Sequence, residues 1–160
     1  MRRGLLSVAA AVVVLAFAGV WHGGYAKSPP AATATAPTSP TPTASASMVA
    51  PLAGANEVPP NKSTATGTAK ITVDVLHDQV CWNLSVQKLQ GTVTQAHIHR
   101  APAGQVGPIV LDLSPPAGGT SRGCRRARPP LARGIVKDPG DYYVNVHTSK
   151  FPDGEIRGQL

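Results

Sequence analysis

The sequence predicts an all-β domain, an antiparallel β-sandwich or Greek-key barrel of about seven to eight strands. Three observations carry this expectation. Beyond residue 50, apolar and polar residues alternate with a period of two in one segment after another. Gly, Pro, Asn and Asp recur between those segments, where turns need them. No stretch there sustains a helical period.

The elements follow in chain order. In Ala69–Val75 the odd positions are apolar and the even ones polar. His77-Asp78-Gln79 reads as a turn, and Val80, Trp82, Leu84 and Val86 then alternate with Cys81, Asn83 and Ser85. This is a hairpin signature. Further strands are expected over 92–99 and 108–113. Residues 114–130, rich in Pro, Gly and Arg, read as a long loop. Strands resume over 131–136, 142–147 and 155–160, with Asp138–Asp141 and Phe151–Gly154 as turns.

Side-chain parity sorts these strands into faces, because successive side chains point to opposite sides. Ala96 and Ile98 share one face, and Gln95, His97 and His99 the other. Val144 and Val146 lie opposite Tyr143, Asn145 and His147. Ile156 and Leu160 lie opposite Glu155, Arg157 and Gln159. The polar faces therefore gather His97, His99 and His147, three of the five histidines.

Imidazoles two residues apart on one face can converge on an ion with metal–nitrogen bonds of about 2.0–2.1 Å. His147, from another strand, is the candidate third ligand, and imidazole suits copper and zinc. Asn145, Glu155 and Arg157 are candidates for outer contacts or an anion-attracting charge. The competing reading makes the histidines ordinary hydrogen-bonding residues on a half-solvated sheet. A shared ion requires ring nitrogens within about 4 Å of one another. No nucleophile elbow or phosphate-binding loop is present. Glu57 is either an acid or base, or a turn residue before Pro59-Pro60.

The N-terminus has the order of an export signal. Arg2 and Arg3 precede an uncharged, mostly apolar run over residues 4–20, and small residues follow up to Ala26. Residues 1–26 are read as a signal peptide. Left uncleaved, residues 4–20 would be a membrane anchor, with the rest of the chain outside. Residues 27–50, mostly Ala, Thr, Ser and Pro, read as a disordered linker. The domain is placed over residues 51–160. Export makes the protein secreted or surface-displayed, and makes a disulfide between Cys81 and Cys124 the expected state of its two cysteines.

The formal charge of +7 falls to about +4 once Arg2, Arg3 and Lys27 are set aside. Few aromatics accompany it, which argues against nucleic acid. Arg122, Arg125, Arg126, Arg128 and Arg133 form a local basic patch, read either as a solvated loop or as an attractor of acidic polymers or anionic surfaces. A monomer facing an extracellular ligand or surface is expected.

Asn56-Glu57-Val58-Pro59-Pro60, Ala96-His97-Ile98-His99, Gly107-Pro108, the run 142–148 and the run 151–160 stand in the order found in chordin-type (CHRD) domains. Over residues 51–160 the chain resembles that family. The resemblance implies a secreted β-sandwich, immunoglobulin-like or superoxide-dismutase-like in fold. In chordin the domain belongs to an extracellular antagonist of growth factors. That activity is not carried over to a sequence with one such domain and two cysteines.

A fainter likeness is to copper–zinc superoxide dismutase, with His97, His99, His147 and Arg157 at the matching positions. No histidine stands between His99 and His147, so the bridging ligand and zinc set of that family are missing. Three functions follow as expectations. The first is a non-enzymatic binding or structural module with a copper or zinc site. The second is a copper-only redox enzyme. The third is an interaction module that uses the basic patch without metal.

Overall fold

The computed structural model describes residues 44–160. The signal peptide and most of the linker, as read from the sequence, lie outside the described residues. Eight strands form one antiparallel sheet in the order β5-β4-β7-β8-β1-β2-β3-β6, curled into a nearly closed barrel. They are β1 Ser45–Ala53, β2 Thr66–Asp74, β3 Gln79–Gln87, β4 Val93–Arg100, β5 Ile109–Leu113, β6 Thr120–Arg126, β7 Tyr142–Thr148 and β8 Ile156–Gln159. One helix, α1, spans Pro129–Lys137. No helix among the described residues is long and apolar enough to cross a membrane.

Period-two burial builds the core. On β2 the residues Ala69, Ile71 and Val73 are buried, and on β3 Val80, Trp82, Leu84 and Val86. They meet Ala96, Ile98, Val144, Val146 and Ile156 from β4, β7 and β8. Each fully buried aliphatic side chain contributes about 1.5–3 kcal/mol relative to exposure. The hairpin from β2 to β3 keeps its register from Thr66↔Gln87 to Asp74↔Gln79.

Three expectations need correction. The domain begins at Ser45, inside the stretch read as linker, because β1 pairs with β2 along its whole length. Its small residues and Pro51 hide the strand. Proline fits because β8 pairs with β1 only at Ala53↔Arg157, so the ladder misses little at Pro51. Residues 114–130 are not all loop, since β6 pairs with β3 from Thr120 to Arg126. Its inward positions are Ser121 and Gly123, so it lacks an apolar alternation. Gly123 is required there, because a Cβ would lie 2.4 Å from the Trp82 ring.

The third correction is α1, which replaces the strand expected over 131–136. Pro129 and Pro130 occupy first-turn positions, where proline loses no hydrogen bond. Ala132 and Ile135 face the core, and Tyr142 Oη occupies the space a Cβ on Gly134 would need. Cys81 and Cys124 sit directly opposite each other on β3 and β6 and are disulfide-bonded.

Candidate metal centre

The site lies on the polar face of β4, β7 and β8. Register places His97 opposite Asn145, which in turn lies opposite Arg157. His99 lies opposite Tyr143, and His147 opposite Gln95. His147 is therefore the diagonal neighbour of His97, within reach of a long side chain. The parity that makes one face apolar thus makes the other a patch of imidazole, amide, phenol and guanidinium.

This face is buried, contrary to an open-sheet reading. His97, His99 and His147 are 4, 8 and 7% exposed. The segments before β5 and before β8 cover them and hold them by backbone carbonyls. Nδ1 of His99 donates to Gly107 O at 2.8 Å, and Nδ1 of His147 donates to Pro152 O at 2.8 Å. Each bond fixes the proton on Nδ1 and so puts the ring's lone pair on Nε2. His99 Nε2 is buried with no hydrogen-bond partner.

His97 Nδ1 lies 3.2 Å from His147 Nε2. One potential donor from each of the three rings falls within 4.8 Å of the others. A shared ion with bonds of about 2.0–2.1 Å holds its nitrogens within about 4 Å, so the widest pair would have to close to share one. The residues fit a three-imidazole site: two tautomers are fixed with Nε2 inward, and an orphaned nitrogen already sits among them.

Burial favours the neutral form of His97 and His99, the form that binds metal. Burial, with the neighbouring His147 and His99, pushes His97 down to about 4. Asp112 opposes this weakly, its Oδ1 lying 3.8 Å from His97 Nε2. Burial also lowers His99, against the hydrogen bond to Gly107.

The expected outer residues divide. Asn145 is buried beside the cluster with its Oδ1 unpartnered. Arg157 shares the face, and its guanidinium stacks 3.3 Å from the centroid of Tyr143. It donates to Gln105 O, Pro102 O and Gln159 Oε1. Glu155 faces elsewhere. Its carboxylate accepts from Ser63 Oγ, Thr148 Oγ1 and the Gln90 amide. It precedes the first residue of β8, so strand parity does not govern it.

Sequence reasoning passed over Tyr143, which lies on the middle strand between His99 and Arg157. Its ring stacks on His99 at 4.7 Å with the planes 6° apart. Its parity with Asn145 and His147 was the available signal. Asp112 was also passed over, though it pairs with His97 across β4 and β5. Glu57 lies in the turn that follows Gly54–Asn56 and precedes Pro59-Pro60, as one of its two readings expected, but its side chain is buried there. It is 7% exposed, and Oε1 lacks a partner. His77 is exposed and bonded to Asp74, away from the cluster.

The basic residues are exposed on two elements. Arg122, Arg125 and Arg126 lie on β6, Arg128 caps α1, and Arg133 lies within it.

No curated protein and no solved structure matches the chain. The CHRD domain family matches residues 48–160, a span that holds every strand from β2 to β8, most of β1, and all three clustered histidines. The chain belongs to the CHRD domain family.

Proposed function

We propose that this CHRD domain is an exported, non-enzymatic binding module that holds one copper or zinc ion at His97, His99 and His147. The observation that carries the reading is the convergence of three buried imidazoles, two of them with Nδ1 tied to backbone carbonyls. Such ties fix the ring and raise its basicity as a ligand. Zinc or copper would join β4 to β7 and add to the stability of the fold. Export rests on the charged, apolar, small-residue order of residues 1–26.

The second reading is a copper-only redox enzyme, favoured by Arg157 on the same face. The engagement of its guanidinium by Tyr143 and three oxygens supports the binding module instead, because a steering charge needs to reach incoming anions.

The test is metal analysis of the protein exported into an oxidising compartment. One equivalent of copper or zinc per chain, lost in His97→Ala and His147→Ala, is the expected result. Absence of stoichiometric uptake would overturn it. Superoxide turnover by the copper-loaded protein, abolished in Arg157→Ala with copper retained, would replace the binding module by the enzyme.

A further inference from the structure

The barrel is not closed. β5 and β6 stand at the two ends of the strand order and do not pair with each other. A cavity of about 630 Å³ lies at this seam. One part of its lining is Ile109, Val110 and Leu111, and another is Arg126, Ala127 and Arg128. β5 pairs with β4 alone, so its other edge carries no ladder. The register with β4 skips Val110, between Leu111 opposite Ile98 and Ile109 opposite His99, and all three of these consecutive residues line the cavity.

Chemistry selects the occupant. Arg100, Arg126 and Arg128 are exposed at the rim, and no carboxylate belongs to the lining. Among the described residues, no ion pair engages these three arginines. The floor is apolar and aromatic: Leu131 and Tyr142 line it, with the Arg100 guanidinium 5.9 Å from the Tyr142 ring centroid. Ile109 is half exposed beside it. An unpaired edge over an apolar floor with a cationic rim suits an extended chain carrying alternating acidic and apolar side chains.

We propose that the seam between β5 and β6 binds an acidic, extended peptide segment of a partner protein by strand addition to the edge of β5. Backbone hydrogen bonds to residues 109–113 supply the register, and Arg100, Arg126 and Arg128 select acidic side chains. Residues 28–47 of this chain contain no charged side chain, so they do not complement the rim. A second copy would bring a like-charged edge. The same arginines that repel self-pairing admit an acidic strand. This inference stands apart from the metal centre, whose ligands line none of this cavity.

The test uses the full chain and a short synthetic peptide alternating glutamate and valine, with a lysine–valine peptide as control. The expected result is binding of the acidic peptide alone, with shifts in the amide resonances of residues 109–113. N-methylation along one edge of the peptide should abolish binding, and along the other edge leave it. Arg126→Glu with Arg128→Glu should weaken binding about tenfold or more, since close charge pairs set both association rate and specificity. Arg100→Ala and Arg128→Ala single variants guard against misfolding of the double reversal. Equal binding of the lysine peptide would overturn the proposal, as would indifference to N-methylation on both edges. Preferential capture of a sulfated polysaccharide without shifts at 109–113 would also overturn it, leaving an anion site alone.

Discussion

His97 Nδ1 approaches His147 Nε2 to 3.2 Å, while the other nitrogen of His147 is bound to Pro152 O. The Pro152 carbonyl accepts, so His147 carries its proton on Nδ1. Its Nε2 is then an acceptor, and His97 Nδ1–H is the donor. A metal taken up through His97 Nδ1 needs that proton gone. The remaining site is Nε2, 3.8 Å from Asp112 Oδ1. Nitrogen-15 NMR should show His97 changing from the Nδ1–H to the Nε2–H tautomer on adding one equivalent of zinc. His99 and His147 should keep theirs. An unchanged His97 would remove Nδ1 from the ligand set.

Replacing the ligands one at a time should separate them from the remaining histidines. His97→Ala, His99→Ala and His147→Ala should each weaken copper or zinc binding by about 100-fold or more, beyond what loss of an outer hydrogen bond does. His77→Ala should leave affinity unchanged, because His77 lies in an exposed turn with Asp74. Competition against a chelator of known affinity measures both, with circular dichroism to confirm the fold.

The histidine face was legible because β4 and β7 keep strict parity through His97, His99, Asn145 and His147. Period two also revealed β2 and β3, whose buried residues are large and aliphatic. It failed where the inward side chains are small or absent, as at Ser121 and Gly123 of β6 and in the Ala- and Ser-rich start of β1. It failed for α1 because two turns with Gly134 inside give few repeats to count, and Pro129-Pro130 reads as a breaker. Glu155 shows the other limit. Parity carried one residue past the end of a strand assigns a face that the backbone there does not enforce.

Glu155 should behave as a structural clasp and not as part of the metal centre. It is fully buried and accepts from Ser63 Oγ at 2.7 Å, Thr148 Oγ1 at 2.8 Å and the Gln90 amide at 3.0 Å. Glu155→Ala strands these donors together. We expect a loss of about 3 kcal/mol or more in urea unfolding, given the cost of unsatisfied buried partners of a charged group. Metal affinity of the folded variant should stay within about twofold of the wild type, as expected for a group outside the ligand contacts. A drop comparable to that of His147→Ala would return Glu155 to the site.

The disulfide should stabilise without shaping the core. Cys81 and Cys124 close a separation of 43 residues and lie on the outward face of β3 and β6. Cys81→Ser with Cys124→Ser should lower stability by about 2–4 kcal/mol, through the less constrained unfolded chain. Chemical denaturation of both proteins, with and without reductant, measures it. Reductant should bring the wild type to the level of the double variant and leave the variant unmoved.

Glu57 gives the sharpest pH prediction. Burial pushes its carboxyl up to about 7, against the pull of Arg157. A Cβ on Gly154 would lie 2.5 Å from Glu57 Oε1, so the carboxyl packs on bare backbone, and Gly154 holds φ +130° there. The unfolded chain titrates near the ordinary value of 4.5. Between these values the native state binds the extra proton, so this contribution is full below 4.5 and is lost as pH rises through 7. His97 has the opposite sign: its folded value near 4 costs stability as pH falls below its ordinary 6.5. That cost is common to the wild type and to Glu57→Gln, and it cancels between them. Glu57→Gln should therefore be more stable than the wild type by about 1–3 kcal/mol near pH 8.5, with the gap shrinking as pH falls to about 5. Urea unfolding at the two pH values measures the difference. A gap that is constant with pH would mean that Glu57 finds a charge partner in solution and that its buried oxygen is not an orphan.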